Sequence, residues 1–348
     1  MTRRNTDTTT LIQNVLNGDR RALARLITRV ENRTPDAQTA LAQLYPHTGR
    51  AYLVGVTGAP GTGKSTLVNA IARALRSRDQ TVGIVAVDPT SPFSGGAVLG
   101  DRIRMNDLTG DRGVFIRSMA NRGSLGGLAA TTSDVVRVMD AAGFDVILIE
   151  TVGAGQSEVD IARTAYTTIV IDAPGMGDDV QAIKAGILEI ADILVVNKAD
   201  RPGVQNTVRA LRAMLELGHR FRTIRHHGEF MIQQDAPQQD TAQDTAQDAP
   251  EYDFWPVPIL ETIALEHQGI DAVIDAIEQH RAHLHESGML ADRERLRLEA
   301  EFAARLRDEL LRRLIAERTP AEVAALVDRM VAREIDPAQA VALLVEGE

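Results

Sequence analysis

Gly58-Ala-Pro-Gly61-Thr-Gly63-Lys64-Ser65 leaves this chain few folds to choose from. The run fits G-x-x-x-x-G-K-[ST], and it stands between an apolar stretch, Tyr52–Thr57, and a helix-patterned one, Leu67–Leu75. Its glycines let backbone N–H groups turn inward around a phosphate chain, and the positive end of the following helix reinforces them. Further apolar runs follow at Val82–Val87, Val114–Ile116, Val146–Ile149, Thr168–Ile171, Ile193–Val196 and Val257–Leu260. Helix-patterned sequence separates them. Strands alternating with helices predict an α/β fold with a mostly parallel central sheet flanked by helices.

The flanks read differently. Leu11, Ile12, Val15 and Leu16, then Leu23, Leu26, Ile27 and Val30, recur at helical spacing around Gly18-Asp19, which predicts an N-terminal helical cap over residues 1–50. The P-loop domain is expected over 51–285. Within it, residues 233–250 (QQDAPQQDTAQDTAQDAP) form a low-complexity insert too poor in apolar groups to order itself. A C-terminal helical arm is expected over 286–348. There Leu298, Phe302, Leu306, Leu310 and Leu314 make an i, i+4 stripe, and Thr319-Pro-Ala-Glu322 and Asp336-Pro-Ala-Gln339 are helix-start signals. The stripe reads as a dimerisation surface, since a charged, extended tail has little core of its own to cover.

Composition removes whole classes of function. A formal charge of −10 argues against a general nucleic-acid surface. The absence of cysteine excludes disulfides, thiolate metal sites and cysteine nucleophiles. No apolar stretch reaches the ~18 residues of a membrane span, and the N-terminus lacks the apolar core of a secretory signal. The expectation is a cytoplasmic enzyme.

The nucleotide site can be read residue by residue. Residues Gly58, Ala59, Pro60, Gly61, Thr62, Gly63, Lys64, Ser65 and Thr66 would wrap the phosphates, with Lys64 on the β- and γ-phosphates and the Ser65 hydroxyl on Mg²⁺. Asn197-Lys198-Ala-Asp200 follows a strand. A carboxylate at Asp200 can accept from guanine N1–H and the 2-amino group, which adenine does not offer, so GTP and GDP are the expected nucleotides. In Thr262-Ile263-Ala264 a backbone N–H is expected to meet guanine O6. Glu150-Thr-Val-Gly153-Ala154 follows the strand Val146–Ile149. Common switch GTPases write D-x-x-G-Q there, whereas this chain has Glu150 for the Asp and Ala154 for the water-orienting Gln. It is read as binding GTP and hydrolysing it slowly when alone. Asp88 ends a strand where it can approach the metal. Asp101 and Arg104 lie in a Gly-rich loop, and Lys184 follows a further strand.

Together these residues closely resemble the MeaB/ArgK/MMAA family of GTPases, chaperones of adenosylcobalamin-dependent acyl-CoA mutases. The resemblance covers nearly the whole chain, including VAVDPTS at 85–91, GGAVLGDRIRM at 95–105, LGGLA at 125–129, ETVGAGQSE at 150–158 and PGMGDDVQAIKAGILEIADILVVNKAD at 174–200. It implies Mg²⁺ and switch roles for Asp88, Asp101 and Glu150, with Ser65 as a further metal ligand. It implies catalytic roles for Lys64, Asp101, Glu150, Gly153 and Lys184. It also implies a mobile loop around Asp178, Gln181 and Lys184 coupled to the mutase, and a homodimer built on the C-terminal arm. The chain departs from the family pattern at the 233–250 insert, at residues 121–124 and at Ile263. Two other readings compete: a nickel-insertion GTPase, which the absence of cysteine opposes, and a P-loop kinase phosphorylating a transport protein, which Asp200 opposes.

Overall fold

Seven strands form one sheet, and nearly every side chain in its central strands is buried. They are β1 (Tyr52–Gly58), β2 (Val82–Pro89), β3 (Val114–Asn121), β4 (Val146–Thr151), β5 (Thr167–Asp172), β6 (Ile193–Asn197) and β9 (Ile259–Thr262). Their order across the sheet is β3-β2-β4-β1-β5-β6-β9, and every pair is parallel. The expected mostly parallel sheet is thus parallel throughout, as near-continuous apolar strands require when both faces are covered. The computed structural model describes residues 8–89, 108, 110–121, 127–151, 161–175, 189–218, 221–226, 229–234 and 255–346.

The alternation of side chains along each strand sorts the core into two faces. Val54, Val56, Ile84, Leu148, Ile169, Ile171, Ile193 and Val195 face α4 (Lys64–Ser77), with Ile270, Val273, Ile274 and Ile277 of a later helix in the same cluster. On the opposite face Leu53, Val85, Val87, Ile147 and Ile149 meet α1 (Thr8–Leu16), α2 (Arg20–Glu31), α3 (Pro35–Leu44) and α5 (Gly127–Ala141). Val170, Leu194 and Val196 on that face meet α6 (Val204–Gly218). The N-terminal helices therefore share one core with the sheet. Asp19 caps α2 by accepting from the N–H groups of Arg21 (2.7 Å) and Ala22 (3.1 Å). Asp140, near the end of α5, accepts from Gly49, Arg50 and Ala51, which fixes the entry into β1.

An antiparallel pair, β7 (Phe221–His226) and β8 (Glu229–Gln234), stands apart from the main sheet. It takes in Gln233 and Gln234, the first two residues of the expected low-complexity insert. The rest of that insert lies outside the described residues. The chain continues through α7 (Ile270–Glu286), α8 (Met289–Ala316), α9 (Pro320–Val331) and α10 (Pro337–Glu346). It divides into two compact units, the second formed chiefly by Leu298–Glu348, so the boundary falls inside α8. None of the 28 residues of α8 is buried, and Phe302 is 68% exposed. Thr319 makes a full capping box with Glu322 at the start of α9. Asp336 accepts from the N–H groups of Ala338 and Gln339 at the start of α10. Among the described residues no helix is long and apolar enough to cross a membrane.

Candidate nucleotide-binding site

Open parallel sheets hold ligands outside their C-terminal edge, where strand order reverses. Here that place is the end of β1, flanked by β4 and β5. Gly58 closes β1 at φ 143°, and a Cβ there would lie 2.1 Å from the carbonyl oxygen of Ile171. Gly63 is the N-cap of α4 at φ 95°, and a Cβ there would lie 2.5 Å from Asn197 Nδ2. Any side chain at either position collides with its neighbour, and positive φ adds backbone strain. This is the physical reason for both ends of the glycine pattern.

Lys64 is buried in the first turn of α4, and its Nζ donates to the carbonyl oxygens of Gly58 (2.8 Å) and Ala59 (3.0 Å). The ammonium thus lies across the loop that begins at the sheet edge. Thr62 Oγ1 also donates to Ala59 O, at 2.9 Å. Ser65 Oγ donates to Glu150 Oε1 at 2.6 Å, and both residues are buried. Glu150 is the penultimate residue of β4, in register with Val56 of β1 and Ala86 of β2. Asp88 lies two residues beyond Ala86 in β2, so its backbone reaches the same edge. A hydroxyl and a carboxylate in contact at the head of a phosphate loop are hard oxygen donors of the kind Mg²⁺ accepts, and the residues fit that ion.

The base end is organised by Asn197. Its Nδ2 donates to Thr62 O at 2.9 Å, and its Oδ1 accepts from Thr262 Oγ1 and the Ala264 N–H, each at 3.1 Å. One side chain therefore fastens the phosphate loop to the loop after β9. Lys198 adopts φ 59°, and its Nζ donates to Gly61 O at 2.6 Å. Asp200 is exposed at the same edge. Ile263 and Ala264 stand where the sequence places them, but their N–H groups donate within the protein, to Gln268 O and Asn197 Oδ1. The expected backbone donor to a base oxygen is, in this structure, an internal brace.

The fold brings together Gly58 through Thr66, Glu150, Asn197, Lys198, Asp200, Ile263 and Ala264. Asp101, Arg104, Gly153, Ala154, Asp178, Gln181 and Lys184 lie outside the described residues. The sequence reading missed two features of the same edge. Thr57 and Thr151 pair through their hydroxyls at 3.1 Å, bridging β1 and β4. Asp172 ends β5, accepts from the Ala173 N–H, and is pushed above the usual carboxylate range by burial. An acid closing an otherwise uncharged strand, T-T-I-V-I-D, was the available signal.

The parallel sheet, the glycine loop at its switch point and the Ser65–Glu150 pair define a P-loop nucleotide hydrolase. Residues 23–319 match the family model described as methylmalonyl-CoA mutase-associated GTPase MeaB. The chain belongs to that family and is a GTPase. A putative GTPase of Pyrococcus abyssi is 43% identical over 337 residues, covering 97% of this chain and 95% of the relative. The GTPase ArgK of Escherichia coli is 36% identical over 283 residues, covering 80% and 77%. A crystal structure of an LAO/AO transport system kinase superposes with a TM-score of 0.68 at 26% identity, covering 99% of each chain.

Proposed function

We propose that this GTPase is a chaperone of an adenosylcobalamin-dependent acyl-CoA mutase of the methylmalonyl-CoA mutase type, gating cofactor delivery and protecting the loaded enzyme. The observation that carries this reading is the match of residues 23–319 to a family described by its association with that mutase. Ala154, in place of the glutamine that orients water in common switch GTPases, supports slow turnover alone and faster turnover on the partner. In this reading GTP occupies the loop from Gly58 to Thr66, Asp200 selects guanine, and Ser65 and Glu150 hold Mg²⁺ together with Asp88 and Asp101. Gly153 and Lys184 complete the γ-phosphate site with Lys64. The protein works in the cytoplasm as a homodimer built on its C-terminal helices.

The test is GTP turnover measured with and without the cognate mutase. Stimulation of about 10³-fold or more is the size seen when a partner supplies a missing stabiliser. An unchanged rate, together with no joint peak on gel filtration, rejects the reading. A second reading, phosphoryl transfer to an acceptor, is favoured by the kinase name of the superposable structure. A labelled acceptor formed from ATP in preference to GTP would establish it.

A further inference from the structure

The N-terminal edge of the sheet, opposite the nucleotide site, carries a second buried cluster of charged and aromatic groups. Its centre is Asp192, just ahead of β6. The carboxylate accepts from the Thr168 N–H of β5 at 2.8 Å and from both terminal nitrogens of Arg293, at 2.8 and 3.1 Å. Arg293 also donates to Tyr166 O at 2.6 Å. One turn of chemistry further, Glu294 accepts from the Tyr166 hydroxyl at 2.7 Å and pairs with Arg297. These bonds seat the first two turns of α8, Met289 to Arg297, on the strand ends. The later turns of the same helix belong to the second unit.

His280 of α7 is wedged into this joint and is fully buried. Its Nδ1 lies 2.8 Å from Thr167 Oγ1, which in turn lies 2.7 Å from the Tyr52 hydroxyl. Its Nε2 has no hydrogen-bond partner, although Asp192 Oδ1 is only 3.3 Å away. That oxygen is the one Arg293 grips at 2.8 Å. Trp255, ahead of β9, packs at a tilt against the rings of His280 and His283, with centroids 4.9 and 5.4 Å away, and donates Nε1–H to Asp192 O at 2.8 Å. The groups facing His280 are therefore Asp192, Arg293 of α8, His283 of its own helix, Trp255, Thr167 of β5 and, through Thr167, Tyr52 of β1. Arg281 lies over the Tyr52 ring.

We propose that Asp192, Arg293 and His280 form an acid-sensitive latch on the root of α8, shut while His280 is neutral and opened by proton uptake on its ring. A proton on Nε2 turns His280 into a second cation claiming Asp192 Oδ1. Arg293, itself partly exposed, and a fully buried imidazolium then crowd one carboxylate. Burial already pushes His280 down to about 4, with Asp192 pulling the other way and Arg293 and His283 adding to the fall. Opening lets water reach the ring, so the open form takes up the proton more readily than the shut one. By linkage the open population grows about tenfold per pH unit between roughly 6.5 and 4. The nucleotide edge lies at the other end of the same strands and is not part of the joint.

Amide hydrogen exchange on the full chain tests the latch, reading a peptide within Met289–Arg297 against one within β1, with intrinsic exchange corrected at each pH. The α8 root is expected to be less protected than β1 at every pH, and to lose protection as pH falls from 6.5 to 5. Emission from Trp255, the sole tryptophan, is expected to fall in parallel as the imidazolium quenches it. At pH 7, Arg293→Met is expected to speed exchange at the root about tenfold or more, the scale of a lost charged hydrogen bond. His280→Gln is expected to flatten the acid response. A latch is ruled out if root and β1 share the same protection, if the root ignores pH, or if His280→Gln keeps the full slope. Should the histidine variant not fold, the wild-type comparison and Arg293→Met still decide.

Discussion

Asp200 is exposed at the sheet edge, beyond a brace that Asn197 builds between the phosphate loop and the loop after β9. Because the Ala264 N–H is taken up in that brace and the Ile263 N–H donates to Gln268 O, the base site proposed above rests its discrimination on the Asp200 carboxylate. Asp200→Asn exchanges an acceptor pair for an amide that suits xanthine, which carries a carbonyl where guanine has its amino group. GTP affinity is expected to fall at least about 100-fold while xanthosine triphosphate gains, as competition binding would read. Unimpaired GTP binding by the variant would remove Asp200 from the base site. His280 makes a different residue-scale prediction. Its folded value of about 4 lies below the unfolded 6.5, so the unfolded chain takes the proton first. Its contribution is complete above about pH 6.5 and is lost as pH falls toward 4, amounting to about 3 kcal/mol over that window. Urea midpoints at pH 6.5 and 5 should therefore drop in the wild type and drop less in His280→Gln.

At the scale of elements, one carboxylate anchors the segment that leads from the N-terminal helices into β1. Asp140 of α5 satisfies three successive N–H groups, those of Gly49, Arg50 and Ala51, immediately before β1. Asp140→Ala leaves those donors without their acceptor and is expected to cost about 3 kcal/mol in denaturant unfolding, with nucleotide affinity kept once the protein is folded. Elements whose cause is local were legible in the sequence. The phosphate loop announces itself because Gly58 and Gly63 meet backbone or side-chain atoms at a Cβ distance, and the Thr319 and Asp336 helix starts are fixed by residues three apart. The β7–β8 pair escaped notice because charged and polar residues interrupt its apolar ones, as in Phe221-Arg-Thr-Ile-Arg-His226, and because it lies outside the main sheet. Long-range contacts were less readable still. Ser65 and Glu150 are 85 residues apart in sequence and meet only through the β1–β4 register. The Asp192 cluster draws residues from several segments: Asp192 lies in the 174–200 run, but nothing in the sequence pairs it with His280 or Arg293.

For the whole molecule, the C-terminal helices pose the outstanding physical problem. From Leu298 on, α8 has nothing buried and gains little from its own packing, and its Arg–Glu pairs at i, i+3 and i, i+4 each add only tenths of a kcal/mol. Phe302, Leu306 and Leu310 are 68, 46 and 57% exposed along one stripe. On α9 and α10, Val331 and Val341 are 77 and 60% exposed as well. Apolar surface on that scale is what a second copy of the chain would cover, consistent with the homodimer proposed above. A two-fold interface uses each residue twice, so a change to one residue is felt at two places. Replacing Phe302 and Leu310 by Asp removes four large apolar contacts from such a dimer. At about 1.5–3 kcal/mol for each, the loss is on the order of 6 kcal/mol or more, before the repulsion of the new charges. Sedimentation at micromolar concentration is expected to show a dimer for the wild type and a monomer for the double variant. Guanine-nucleotide binding should persist in both, because the phosphate loop and the Asn197 brace are built from residues 58–66, 197 and 262–264, none of which is changed. A wild-type monomer at the highest soluble concentration would leave the stripe to the mutase instead, and the same double variant would then lose the partner's stimulation of turnover.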